Sequence, residues 1–332
     1  MMGKNGFTNL QSLALALICL GCGNVTFPLK VQKTTVTTLR SGTSHNLYSV
    51  FFVNENAGFV VGDGGTILRT TNGGTTWANV SFATNLTLTG VYFLNTDTGF
   101  VCGHKVLLRT TNSGNSWTKV DSTFDYENIL FSDYENGIYS GISQSNNSYV
   151  PAVGISTNSG ASWQSIGPNL EKKILCLGIS SSFLNSSSMF LGLAVPAYGY
   201  ASVYRTTNGG SSWDSVYSNT RGIFGIQCVS STVVYMCSDS GLIVKSTDFG
   251  SSWQSQPSGS TAWLNSIYFV SPSVGYIIGF NGTILSTVNG GTTWSSISSG
   301  TTQDLYKVYF PDASVGFVVG LGGTILKLTE NS

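Results

Sequence analysis

Side chains able to do chemistry are scarce in this sequence, so each can be weighed singly. His45 and His104 are the only histidines, which supplies neither a histidine-based triad nor a histidine metal site. Asp125 and Glu127 lie close together, and a pair of carboxyl groups is what glycoside hydrolysis requires. Both are expected in one loop, however, rather than on facing walls. No GxSxG elbow, phosphate-cradling loop or cofactor fingerprint occurs, and the many Gly pairs read as turns. The expectation is a protein without catalysis and without a cofactor or metal.

Charge recurs more regularly than chemistry. Arg69, Arg109, Arg205, Lys245 and Lys327 each stand just before one repeated phrase or its truncated counterpart, with Ile155 and Ser286 at the two remaining places. These five are a third of the fifteen Lys and Arg. On a closed ring of repeats such positions form a circle. Two readings stand: a basic rim that binds a partner, or strand ends near solvent whose charges were copied with the repeat. The opposite face offers a second candidate surface. Ser143–Pro151 and Val195–Ser202 read as loop insertions carrying Tyr149, Tyr198 and Tyr200, while Tyr126, Arg221 and Trp263 fall in expected connections between repeats. Tyr combines apolar area with a polar tip, and insertions on one face of a repeat protein are where binding is grafted. A protein or a glycan would suit this face; plain loop variation is the bland alternative.

The elements that position these residues come from a repeat. Six segments end in one phrase, from Thr70-Thr-Asn-Gly-Gly-Thr-Thr-Trp77 to Thr287-Val-Asn-Gly-Gly-Thr-Thr-Trp294, and their Trp residues (77, 117, 163, 213, 253 and 294) advance by 40, 46, 50, 40 and 41 positions. Trp263 alone stands outside the pattern. Within a unit, Leu264–Val270 alternates as a strand, Gly275–Gly279 is a second, Asn281-Gly282 is a hairpin signal, Thr283–Thr287 is a third and Thr292–Ile297 a fourth. Four short antiparallel strands in about 40 residues make a propeller blade. A seventh unit starts at Leu305 and lacks its fourth strand, whereas Thr34–Gly42 parallels Thr292–Gly300 with Val36 in the Trp place. The sequence thus predicts an all-β, seven-bladed propeller over residues 34–332, its last blade closed by the N-terminal strand, as a monomer.

Composition agrees. Gly accounts for 40 of 332 residues, and fifteen Lys and Arg balance fifteen Asp and Glu. Charged residues make up 9% against roughly 25% in an average domain, and no basic surplus exists for phosphate contacts, which excludes a general nucleic-acid binder. Ahead of the repeats, Met1–Ser12 carries Lys4 and no acid, followed by the apolar run Leu13–Leu20 and Gly21-Cys22. A run this short reads as a signal peptide rather than a transmembrane helix. Residues 1–22 are expected to direct export and 23–33 to form a linker. The Gly-Cys step is similar to a lipobox, with Cys19 where Leu is usual. Cys22 is then the lipidation site and the sole membrane attachment of an envelope protein, simple cleavage and secretion being the alternative. Of the other cysteines, Cys102 and Cys237 occupy the place of Ile278, and Cys228 that of Phe269. They read as buried thiols, with a Cys228–Cys237 hairpin bridge as the other option; Cys176 has no assigned counterpart.

The repeated phrase resembles the Asp-box, or BNR repeat, with Asn in place of the defining acid everywhere except Asp248. The longer unit resembles the Ycf48 group of photosystem II stability and assembly factors across about Thr34–Lys327. That resemblance implies a seven-bladed propeller, a protein partner in the envelope or outside the cell, and an association with an arginine-rich binding patch that cannot be mapped residue by residue here. Sialidases also carry Asp-boxes, but use six blades and need three arginines at a central pocket. Outside the repeated position only Arg40 and Arg221 remain. The reading is therefore a binding or assembly scaffold, with a glycan-binding or glycoside-hydrolase module as the alternative.

Overall fold

The computed structural model describes residues 33–145, 148–166, 178–195 and 200–331. The expected export segment 1–22 with Cys22, residues 23–32, Cys176 and Tyr198 lie outside the described residues. Twenty-eight strands form seven four-stranded antiparallel sheets. Blade one consists of β2 (Leu47–Phe52), β3 (Gly58–Gly62), β4 (Ile67–Thr70) and β5 (Ala78–Asn79). The same order repeats to blade seven, where β26 (Leu305–Tyr309), β27 (Val315–Gly320) and β28 (Ile325–Asn331) are joined by β1 (Lys33–Leu39). Lys33 pairs with Asn331 and Leu39 with Ile325, so the N-terminal strand closes the ring as the sequence predicts.

Local patterning explains the order of strands within a blade. The second strands, such as Gly58-Phe-Val-Val-Gly62, are buried along their length, because both faces of a mid-blade strand meet neighbouring blades. The fourth strands are short and polar, as edge strands must be. The repeated phrase forms the turn between third and fourth strands. In blade one the Thr70 hydroxyl accepts the Gly74 amide (3.0 Å), and the Asn72 side chain accepts the Thr76 amide (2.9 Å) while donating to the Thr76 hydroxyl (2.9 Å). In blade five Asp248 accepts from the Ser252 hydroxyl instead (2.6 Å). A Ser or Thr hydroxyl can reverse its hydrogen bond, so Asn serves as well as Asp.

The core is divided among the blade boundaries. Seven separate apolar clusters occur, one between each pair of adjacent blades. At the first boundary Phe59 of β3 stacks on Phe93 of blade two (4.1 Å, 16°), and Trp117 meets Phe59 edge-on (6.3 Å, 90°). Tyr235 on Phe269 and Phe52 on Phe317 repeat the stack at other boundaries. The cysteines belong to this packing. Gly90 faces Cys102 and Gly225 faces Cys237 across the first two strands of their blades, and a Cβ on either glycine would fall within 2.7 Å of the thiol. Cys102, Cys228 and Cys237 are free, so the hairpin bridge is not formed. Cys228 pairs with Val234 and Cys237 with Gly225, placing the two thiols toward opposite ends of the hairpin.

Two further expectations are corrected. The supposed loops of blades three and four are strand extensions: Ser143 pairs with Val150, Gln144 with Tyr149 and Ser145 with Ser148, while Val195 pairs with Tyr200. The ladder continues through Pro151, which pairs with Ile142, into the Ser, Gln, Tyr and Val residues beyond it. Tyr126 is not in a connection. It belongs to β10 (Asp125–Phe131), is fully buried against Tyr139 and donates to Asp121 (2.5 Å). Its apolar ring fills the place that Leu47 and Leu88 take in other blades. Asp125 and Glu127 lie in the same strand rather than in a loop. Phe59→Ala removes a ring from a close-packed boundary and is expected to lower stability by about 3–5 kcal/mol in urea unfolding, without loss of the strand content seen by far-ultraviolet circular dichroism.

Candidate functional site

The first strand of each blade lines the axis of the ring, and in six blades it carries a bulge one residue in. Tyr48, Thr89, Glu127, Phe224, Asn265 and Tyr306 are the bulged residues. Blade four pairs without the bulge. A bulge re-aims a side chain, and all six residues line one cavity of about 520 Å³ at the axis. Glycine permits this geometry. Gly62 ends β3 opposite Leu47, and a Cβ there would lie 1.9 Å from the Asn46 carbonyl oxygen. The incoming chain can therefore cross close above the second strand before it bulges inward.

The cavity is a cup. Toward the face of the repeated phrases lie Phe51, Tyr92, Tyr268 and Tyr309, whose rings contact one another and form its floor on four blades (Phe51–Tyr92 4.7 Å, Phe51–Tyr309 5.0 Å, Tyr268–Tyr309 5.7 Å). Each Tyr hydroxyl of this floor donates to a carbonyl of the next blade, Tyr92 to Phe131, Tyr268 to Phe310 and Tyr309 to Phe52. Burial raises all three phenols above their ordinary pKa, so they remain donors.

The opposite end is open and has two unlike halves. An aromatic arc runs through Phe224, Trp263, Phe280, Tyr306 and Tyr48. Phe224 and Phe280 flank Trp263 in near-parallel stacks (5.4 and 5.3 Å, 20° each), and Tyr306 bridges Phe280 (6.3 Å) to Tyr48 (5.1 Å). Trp263 is 42% exposed even so. Tyr48, pushed up to about 12 by burial and by Asp63, donates to that carboxylate (3.2 Å). Asn46 and Thr87 also donate to Asp63 (2.9 and 2.8 Å), so this rim acid is saturated.

The other half, from blades two and three, is polar and holds Thr89, His104 and Glu127. Glu127 makes no hydrogen bond among the described residues. Burial, reinforced by Asp125, raises it to about 7. Lys307, one residue past the bulge of blade seven, also has no hydrogen bond or ion pair among the described residues, and burial lowers its pKa. Glu127 is the single carboxyl group on the described wall, and the described residues contain no cluster of metal-ligating side chains.

The residues singled out by the sequence divide between this cup and the blade boundaries. Trp263 is at the mouth. Arg221 lies nearby, 3.9 Å from Asp239. Of Tyr149 and Tyr200 the description extends to backbone pairing only. Four of the five repeated cations reach across blade boundaries. Arg69 donates to Asn115 (2.7 Å), Arg205 to the Phe249 carbonyl (2.7 Å), Lys245 to that of Gly290 (3.0 Å) and Lys327 to that of Gly73 (3.5 Å). Each acceptor lies in the next blade's repeated phrase. Arg109 sits over Phe100 (5.8 Å). Sequence reasoning overlooked Lys307, Phe224, Phe280, Tyr306 and Tyr48. Superposing the repeats shows the signal available: the column after Leu47, Leu88, Tyr126, Ile223, Leu264 and Leu305 varies in chemistry while the column before it stays apolar.

The Glu127 shift fixes a sign. Its carboxyl is protonated in both states well below pH 4.5. As pH rises toward 7 the unfolded chain loses that proton first, so the group's contribution to stability declines and then levels off above the folded pKa. Glu127→Gln is expected to match the wild type at pH 4 and to exceed it by roughly 3 kcal/mol at pH 8. Urea unfolding across that range measures the difference; a constant offset would refute a buried carboxyl.

No curated protein sequence matches this chain significantly. Residues 30–126 match the family described as "Photosynthesis system II assembly factor YCF48". Among solved structures, one titled "YCF48 bound to D1 peptide" is 19% identical with a TM-score of 0.71, covering 90% of this chain and 97% of that one. YCF48 from Cyanidioschyzon merolae is 18% identical with a TM-score of 0.70, covering 89% and 98%. A GH74 xyloglucanase from Xanthomonas campestris is 14% identical with a TM-score of 0.68; it covers 88% of this chain, which spans 53% of that enzyme. The resemblance read from the repeated phrase is borne out: residues 30–126 match the YCF48 family, and the seven-bladed propeller is similar in fold to the YCF48 structures.

Proposed function

We propose that this propeller is a non-catalytic binding and assembly scaffold that takes an extended segment of a partner protein into the axial cup. The observation that carries this reading is the cup itself, with the tyrosine floor at one end and walled at its mouth by the Phe224–Trp263–Phe280–Tyr306–Tyr48 arc. Rigid aromatic area beside unpartnered polar groups suits a peptide, which brings apolar side chains and backbone donors and acceptors together. That a YCF48 structure holds a D1 peptide supports a peptide as the class of ligand.

A glycan is the second reading, favoured by the likeness to the xyloglucanase fold. Against it, glycoside cleavage needs two carboxyl groups where the described wall offers one. With residues 1–22 read as an export signal, the scaffold would meet its partner in the envelope or outside the cell, held by Cys22 if that residue is lipidated.

An array of short unstructured peptides and a panel of xyloglucan oligosaccharides separate the readings. Micromolar binding of a peptide subset, weakened at least about tenfold by Trp263→Ala, is expected. Binding that is indifferent to Trp263, or turnover of an oligosaccharide lost in Glu127→Gln, would refute it.

A further inference from the structure

The layer below the bulges has its own chemistry. One residue past each bulge, the first strands of three adjacent blades present Ser266, Lys307 and Ser49, facing Ile278, Val319 and Val61 across their hairpins. All three line the cup. Ser49 and Ser266 are 5% and 4% exposed. The Ser266 hydroxyl accepts the Val308 amide (3.4 Å), which leaves its own proton to donate, and the Ser49 hydroxyl has no hydrogen bond among the described residues. Lys307 between them has no acceptor there either. A desolvated ammonium without an acceptor is costly, and three donors lining one cup from adjacent blades form a place that an anion completes.

We propose that Lys307, flanked by Ser49 and Ser266, is a seat for one carboxylate of the ligand, whose apolar body lies along the aromatic arc. The ligand is singly charged at this point, because the seat supplies one cation and Glu127 stands in the same cup on blade three; a phosphate dianion would be left uncompensated. Tyr306 precedes Lys307 in the chain and belongs to the arc, so the seat and the apolar wall are contiguous. The inference rests on the peptide reading for the identity of the ligand and on the three donors for its chemistry. The carboxylate is either a chain terminus or an Asp or Glu side chain.

Hydrocinnamate and its uncharged amide are the first probes, followed by fluorescence titration with Trp263→Phe as the control for the signal. Wild type is expected to bind the acid at least about tenfold more tightly than the amide. Lys307→Met is expected to abolish that preference and Lys307→Arg to retain it, with near-ultraviolet circular dichroism reporting that both variants are folded. Peptides found to bind are then compared as free acids, as C-terminal amides, and as amides with an internal Glu. Preference for the free acid identifies a terminus, and rescue by Glu identifies a side chain. Equal affinity of wild type for hydrocinnamate and its amide overturns the seat while leaving peptide binding intact. Acid preference lost in Lys307→Met, with no peptide bound, sustains the seat and overturns the peptide reading.

Discussion

Everything in this molecule depends on one large apolar side chain per blade, a ring in six blades and Ile138 in blade three, lying against the first strand of the next. Phe59 on Phe93, Tyr235 on Phe269, Tyr276 on Phe310 and Phe317 on Phe52 are variations of a single contact. The contact does what a central core does in other domains, but it does so at seven places around a circle. Apolar burial is thereby moved away from the axis, and the axis is left free for polar and charged residues. Where a cation precedes the repeated phrase it extends the same contact. Lys245 lies over the Tyr235 ring while donating to the next blade, and Lys327 does likewise over Phe317. A circle of charge is thus also a set of fastenings between blades.

With stability secured at the boundaries, the first strands are free to vary where they face the axis. The bulge is the device. It is copied with the repeat, enforced by the close approach at Gly62 and its counterparts, and it turns one residue per blade inward whatever that residue is. At the bulges, blades five, seven and one supply aromatic rings, blade six supplies Asn265, and blades two and three supply Thr89 and Glu127. A symmetric scaffold therefore carries an asymmetric cup.

Nearly all of the fold was legible in the residues. The phrase spacing gave the blades, Asn281-Gly282 gave a hairpin with both residues at positive φ, and Thr34–Gly42 gave the closure. The cup was not legible, for a physical reason. A period-of-two reading assigns each strand residue to one of two faces, and a bulge breaks that alternation without leaving a Gly or Pro to mark it. Tyr126 and Glu127 show the consequence: adjacent residues expected together in a loop, of which one is sealed in a blade boundary and the other opens on the axis. Lys307 was hidden likewise, since a single Lys in a repeat reads as solvated surface until its neighbours across the axis are known.

The closing strand carries a consequence for biosynthesis. Tyr48 and Tyr306 touch across the seam between blade one and blade seven, and β1 waits for β28, the last strand to be made. During synthesis the early blades can form while the ring is still an open arc. The aromatic wall, however, spans the seam, and its last contact, Tyr306 on Tyr48, comes into being only when blade seven meets blade one. A ring left open at this seam would keep most of its blades and most of the arc, and lack only the join between Tyr306 and Tyr48.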